Sequence, residues 1–189
     1  MTGRTDGPAD ETVMLEVRDG QVARLSVLFE RHHRALFNFF YRLTGSRTAA
    51  EDLVQEVFLR LLKYRHTYNP KTSFVAWLYQ VARNAHIDTL RSAKPEMAWT
   101  EDMPEPVSAD TQQDERLRRE QEAVLVRRAM AALPPDKREL LVLSRYQNLP
   151  YDQIGEIVGC EVGAVKTRVY RAVRALATAF AQVTGERAV

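Results

Sequence analysis

Residues 150–174 read Pro-Tyr-Asp-Gln-Ile-Gly-Glu-Ile-Val-Gly-Cys-Glu-Val-Gly-Ala-Val-Lys-Thr-Arg-Val-Tyr-Arg-Ala-Val-Arg, and the fold turns on how they are read. The spacing predicts a helix from Pro150 or Tyr151 to Val158, a tight turn at Gly159-Cys160-Glu161, and a longer helix from about Val162 to Ala181. Gly159 suits the left-handed position that ends a helix, since it has no Cβ to clash there. Short helix, glycine turn and second helix make a helix-turn-helix pattern, whose second helix can enter the major groove of DNA. Val162, Val165, Val169 and Val173 give that helix an apolar face, and Lys166, Thr167, Arg168, Tyr170, Arg171 and Arg174 populate the rest. Alone, such a face is equally an ordinary solvated amphipathic helix. The turn, the spacing and the lack of any carboxylate between 162 and 174 favour phosphate neutralisation and guanine readout by arginine.

Upstream, Leu117, Val124, Leu125, Ala129 and Leu133 form a helical stripe broken at Pro134-Pro135. A helix from there to about Gln147 turns Leu140, Leu141, Leu143 and Tyr146 inward. Residues 95–115 hold three prolines and seven carboxylates with too few apolar residues for a core, and read as an extended linker. Before it, Leu25, Leu28, Phe29, Leu36, Phe37, Phe40 and Leu43 predict a helix over Val22–Leu43, stopped at Gly45-Ser46. Thr48 with Glu51 forms a capping box for the next helix, which carries Leu53, Val54, Val57, Phe58, Leu61 and Leu62 to about Tyr64. After a turn-rich loop at 65–73, Ser73 caps a third helix with Phe74, Trp77, Leu78, Val81, Ala82 and Ala85 inside, ending near Lys94-Pro95. Residues 1–21 read as a frayed tail, helical from about Asp10. No stretch alternates over six residues, so no sheet is expected.

The expected fold is therefore all-α: two small helical domains, 22–94 and 116–189, joined by an acidic flexible linker over 95–115, the C-terminal domain carrying the helix-turn-helix. Its 189 residues are 45% hydrophobic and 28% charged, which excludes collagen-like and wholly disordered classes. The formal charge of +2 conceals a block order of −3 over 1–23, +7 over 24–94, −7 over 95–115 and +5 over 116–189. The single cysteine, Cys160, leaves no intramolecular disulfide and no structural zinc spacing, so neither metal nor cofactor is expected. Without an apolar run of membrane-spanning length or a signal-peptide pattern, a cytoplasmic location and no membrane insertion are expected.

The N-terminal domain offers two faces. On its second helix Asp52, Gln55, Glu56 and Arg60 lie opposite the apolar stripe. That acidic patch in a basic lobe suits a cationic protein partner, or equally reflects carboxylates favoured in a helix's first turn. On the third helix Gln80, Arg83, Asn84, Ile87, Asp88 and Arg91 share an outer face, beside a loop with Tyr64, His66, Tyr68 and Lys71. Rings next to cations and amides suit unpaired bases, by stacking, edge hydrogen bonds and charge. Trp77 sits on the apolar stripe and reads as core; Tyr68, in the loop, is the better base-stacking residue.

Asp52-Leu-Val-Gln-Glu56 with Phe58, Phe74-x-x-Trp77-Leu78 and Ala82-Arg-Asn84 resemble the second conserved region of bacterial RNA polymerase sigma factors. Leu133-Pro134, Tyr151-Asp-Gln-Ile154-Gly155 and Gly163-Ala-Val165-Lys-Thr-Arg168-Val-Tyr170-Arg171-Ala172 resemble their fourth. With no room for a third domain, the chain is similar to the short extracytoplasmic-function class. The resemblance implies a promoter-specificity subunit with no catalytic residues. It implies that Asp52, Gln55 and Glu56 bind the β′ clamp helices of core RNA polymerase. Tyr68, Lys71, Gln80, Arg83, Asn84 and Arg91 would take the melted minus-10 strand of promoter DNA. Lys166, Thr167, Arg168, Tyr170, Arg171 and Arg174 would read duplex minus-35, the segment around Leu140 to Tyr146 would dock on the β-flap, and the linker would thread the polymerase cleft. An anti-sigma factor is the implied inhibitory partner. Ala164 and Gly155 depart from the family's usual Thr and Ala, and Gly155 carries an expected helix cost of roughly 0.5 to 1 kcal/mol. Two rival readings are a conventional helix-turn-helix regulator with a dimerising or sensing N-terminal lobe, and a metal-dependent nuclease using Asp52, Glu56 and Asp88.

Overall fold

The computed structural model describes residues 7–92 and 113–185, with 113–120 in backbone only. Their elements are α1 (Asp10–Arg18), α2 (Leu25–Thr44), α3 (Arg47–Lys63), α4 (Phe74–Ser92), α5 (Gln113–Ala131), α6 (Pro135–Leu141), α7 (Tyr151–Val158) and α8 (Val162–Thr184). Short 3-10 turns lie at Val22–Arg24 and Arg65–Thr67, and a π-turn at Val142–Tyr146. The described residues contain no strand, as the absence of alternation required. The linker falls outside the described residues up to 112, and residues 113–115 already belong to α5.

In the N-terminal lobe α2, α3 and α4 bury one continuous cluster that includes Leu28, Leu36, Phe39, Phe40, Leu53, Val57, Leu61, Leu78 and Ala82. Gly45, at φ 71°, ends α2 in the left-handed conformation and lets α3 fold straight back. The cap of α3 is Ser46, whose hydroxyl oxygen accepts the Ala49 N–H at 3.3 Å, so the helix starts a residue before the expected Thr48 cap. Phe29, expected inside, is 42% exposed; it stacks on His33 and meets Phe58 edge-on. The first turn does form a helix from Asp10, but it is more than a tail. Val13, Met14 and Val17, spaced three and four apart, are wholly buried, which makes α1 part of the core.

In the C-terminal lobe α5, α6, α7 and α8 enclose Ala129, Leu133, Leu140, Leu141, Leu143, Ile154, Ile157, Val165 and Val169. The helix expected to run to Gln147 changes character at Val142: the Gln147 N–H reaches the Val142 carbonyl, one residue beyond the α-helical partner. Asn148 then takes φ 52°, a left-handed turn that asparagine tolerates, and the chain enters α7.

The two lobes pack on each other. The Tyr79 hydroxyl donates to Gln147 Oε1 at 2.7 Å, and Gln147 Nε2 donates to the Ala35 carbonyl at 3.3 Å. Arg83 Nε pairs with Glu139 at 3.1 Å, Arg138 Nη1 donates to the Leu43 carbonyl at 2.8 Å, and the Arg42 guanidinium lies 3.8 Å above the Tyr146 ring. Tyr146 is therefore a surface residue held between lobes, and Gln147, displaced by the π-turn, bridges α2 and α4.

Candidate nucleic-acid interface

Gly159, at φ 70°, closes α7 in the left-handed conformation, and Cys160 N–H returns to the Gly155 carbonyl at 3.0 Å. This tight return explains Gly155. A Cβ built there would lie 2.6 Å from the Cys160 carbonyl oxygen, a backbone atom with little freedom to retreat. The glycine is thus required by the turn, and its intrinsic helix cost is offset by the close approach it permits. Gly155→Ala is expected to destabilise the C-terminal lobe by about 1 to 3 kcal/mol, against the sign that helix propensity gives; urea denaturation checks it.

The turn fixes α8 with Val165, Val169, Ala172 and Ala179 buried. Val162 and Val173, read as part of the inner stripe, are 40% and 37% exposed, because the true stripe follows 165, 169 and 172. The outer face presents Lys166, Thr167, Tyr170, Arg171 and Arg174, with Tyr170 61% exposed. Four α8 residues, Lys166, Tyr170, Arg171 and Arg174, thus combine charge with one flat ring on a solvent-facing surface. The Thr167 hydroxyl donates back to the Gly163 carbonyl. Arg168 is half-buried and leans inward: Nη1 donates to Cys160 Sγ at 3.7 Å, and it faces Glu139, whose carboxyl burial pushes above its ordinary range against the opposing charges of Arg83 and, to a lesser extent, Arg168. Arg168 is thereby drawn off the reading face that the sequence assigned it.

On α4 the residues Gln80, Asn84 and Arg91 are exposed, and Arg83 beside them is engaged by Glu139. Lys71 is exposed, its backbone N–H held by Asn69 Oδ1 in a side-chain turn. Tyr68 corrects the sequence reading. It is only 2% exposed, packed against Phe74 and Trp77, with its hydroxyl donating to the Thr72 carbonyl. Burial pushes its phenol up to about 12. Trp77, read as core, is only half-buried, so the two rings exchange the roles expected of them. The exposed rings here are Tyr64, at the end of α3, and His66 of the loop; Lys63 Nζ lies 5.3 Å from the Tyr64 centroid.

On α3, Asp52 and Gln55 are exposed. Glu56 binds Arg60 at 2.6 Å, and Arg60 continues to Asp88 at 2.7 Å. An arginine thus joins two of the three carboxylates that the nuclease reading would place around a cation, and no cluster of metal-ligating side chains occurs among the described residues. Leu140, Leu141, Val142 and Leu143, in the segment read as a docking surface, are buried; Arg145 and Tyr146 are its exposed members. No helix among the described residues is long and apolar enough to cross a membrane.

With this geometry in place, relatives are informative. The chain matches the Sigma-70 region 2 family over residues 28–96 and the Sigma-70 region 4 family over 123–176. It is 35% identical over 161 residues to the RNA polymerase sigma factor CarQ of Myxococcus xanthus, covering 84% of this chain and 90% of that one. It is 30% identical over 193 residues to the ECF RNA polymerase sigma factor SigE of Mycolicibacterium smegmatis, covering 96% and 73%. In fold it is similar to CnrH solved with the cytosolic domain of CnrY, at TM-score 0.68 and 22% identity over 90% of this chain and 96% of that one. A second likeness is to the sigma factor RpoE of Bartonella quintana, solved with the anti-sigma factor NepR, at TM-score 0.64 and 21% identity over 86% and 98%. The two matched regions coincide with the two lobes, so neither a conventional helix-turn-helix regulator nor a nuclease describes the whole chain. With acids on α3, amides and cations on α4, cations on α8, and relatives that match both lobes in order, the chain belongs to the sigma-70 family of RNA polymerase sigma factors, in its ECF class.

Proposed function

We propose that the chain is a dissociable specificity subunit in which each exposed face has one task. Asp52, Gln55 and Glu56 on α3 meet the β′ clamp helices of core RNA polymerase. Gln80, Arg83, Asn84 and Arg91 on α4, with Lys71 and the loop at 65–73, hold the melted minus-10 strand. Lys166, Thr167, Tyr170, Arg171 and Arg174 on α8 read minus-35 in its major groove, and Arg168 joins them on leaving Cys160. The domains are those read from the sequence, with α1 added to the first. The chain acts in the cytoplasm and catalyses nothing itself. An anti-sigma factor restrains it by covering the same faces.

The observation that carries this reading is the separation of two unlike polar surfaces on two lobes: amide-rich on α4 for exposed base edges, cation-rich on α8 for duplex phosphates. Arg83 also belongs to the lobe contact through Glu139, so its use on DNA requires that pair to break.

The test compares Asn84→Ala with Arg171→Ala in holoenzyme on one promoter. Arg171→Ala is expected to weaken binding to minus-35 duplex by roughly tenfold and to lower the salt slope by about one. Asn84→Ala should leave that duplex affinity unchanged and reduce strand opening, read by permanganate reactivity at minus-10. Equal loss of both functions in both variants would overturn the assignment of two separate readers.

A further inference from the structure

The sequence places the cap of α4 on its own loop, at Ser73. The structure puts it 63 residues upstream: the Phe74 N–H, first of α4, donates to Glu11 Oε1 of α1 at 3.0 Å. Ser73 instead accepts from Gln153 Nε2 at 3.4 Å. Glu11 is held in place by its neighbours. Asp10 accepts from Arg31 Nη1 at 2.6 Å and bonds His32 Nε2 at 2.7 Å, and the His32 hydrogen bond is the main reason its carboxyl titrates below the ordinary range. Val13, Met14 and Val17 anchor the rest of α1 in the core. The residue next to this clamp therefore reaches a fixed point at the junction of α4 and the loop 65–73.

That junction sets the geometry of both parts of the minus-10 surface. Phe74, whose N–H Glu11 takes, is wholly buried and packs against Tyr68 of the loop, Trp77 of α4 and His32 of α2. Tyr68 in turn ties the loop to itself through the Thr72 carbonyl. A helix with its first N–H groups unmet frays at that end, and fraying here would change where the loop sits relative to Gln80 and Asn84, one and a half to three turns further along α4.

We propose that Glu11 is a positioning residue for capture of the minus-10 strand: a carboxylate on α1 that caps α4 from outside and fixes the loop against the α4 face, without touching DNA itself. The proposal rests on the assignment of α4 and its loop to minus-10. It gives the N-terminal helix a part in promoter melting, although that helix lies outside the region 2 match that begins at residue 28.

The experiment uses holoenzyme made from the full chain and core RNA polymerase, on a promoter obtained by start-site mapping. Three affinities are measured: for core polymerase, for a duplex ending upstream of minus-10, and for a fork template whose minus-10 non-template strand is single. Glu11→Ala is expected to weaken the fork affinity roughly tenfold, the scale of a lost cap, and to leave the other two within about twofold. Glu11→Gln keeps an acceptor oxygen for the Phe74 N–H and should recover the fork affinity to within about threefold. Should Glu11→Ala fail to fold, Glu11→Asp, which withdraws the carboxylate by one methylene, is measured in its place and should lose the fork affinity selectively. Equal losses in all three affinities, or a Gln variant as poor as Ala or Asp, would overturn the proposal. So would wild-type fork affinity in the Glu11 variants when Asn84→Ala loses it. If Asn84→Ala also keeps full fork affinity, the minus-10 assignment itself fails, and the role of Glu11 fails with it.

Discussion

Replacing Asp52 by arginine and Gln55 by alanine in one variant is expected to weaken binding to core RNA polymerase by about 100-fold, the range seen when a close interfacial charge pair is broken and reversed. Both side chains are exposed on α3 and neither is engaged within the described residues, so the change breaks no contact within the fold. Surface substitutions of this kind move stability by roughly 0.5 kcal/mol or less, and the thermal midpoint should hardly change. Glu56 is less suited to the experiment. Its carboxylate also holds Arg60, which links α3 to Asp88 on α4, and the Glu56 hydrogen bond is the first reason the guanidinium titrates above its ordinary range. Competition between variant and wild type for a fixed amount of core polymerase measures the loss. Undiminished binding would mean that the acids of α3 only complement their own helix dipole, the alternative that local physics leaves open.

Arg138→Met should be the most destabilising change in the C-terminal lobe, by about 3 to 5 kcal/mol. The guanidinium donates to four carbonyls: Met130 and Ala131 in the last turn of α5, Leu133 just beyond it, and Leu43 near the end of α2 in the other lobe. Two helix ends thus place their unmet carbonyls around one cation, where their partial negative charge favours it. Burial pulls the Arg138 guanidinium below its ordinary titration range, but the planar fork serves acceptors in several directions and the group stays ionised. A methionine fills the volume and takes this donor from the Leu43, Ala131 and Leu133 carbonyls, while the Met130 carbonyl keeps the Leu133 N–H. Lysine should recover only part of the loss, since a compact ammonium cannot span the same set. For a chain of this size the Met variant corresponds to a melting-temperature fall of roughly 10 °C. A fall of less than about 2 °C would show that these carbonyls find other partners.

Arg138 also shows where sequence reading ends. Nothing in Asp-Lys-Arg-Glu distinguishes the arginine that gathers four carbonyls from the lysine beside it; the difference arises when α2, α5 and α6 meet. Glu11 is the same case, with donor and acceptor 63 positions apart in the chain. Features carried by local chemistry were legible: the apolar spacing that set α2, α3, α4 and α8, and the glycine that ends α7. Choices between neighbouring residues within a local pattern were not. Ser46 outcompeted Thr48 because Gly45 had already turned the chain, and Tyr68 went inside because the loop closes over Phe74. Gly155 looked like a flaw by helix propensity and is a requirement of the turn it faces. The α8 face was readable in outline, yet Arg168 shares its helix side with Cys160 and Glu139, which periodicity alone does not reveal.

As a sigma factor, this chain directs core RNA polymerase to particular promoters. The most direct test mixes the purified chain with core polymerase and genomic DNA and maps the 5′ ends of the transcripts. The expected result is a stable complex with core and a set of specific starts, absent from the core-only control, that share one element near minus-35 and another near minus-10. No complex with core, and starts indistinguishable from core alone, would contradict it.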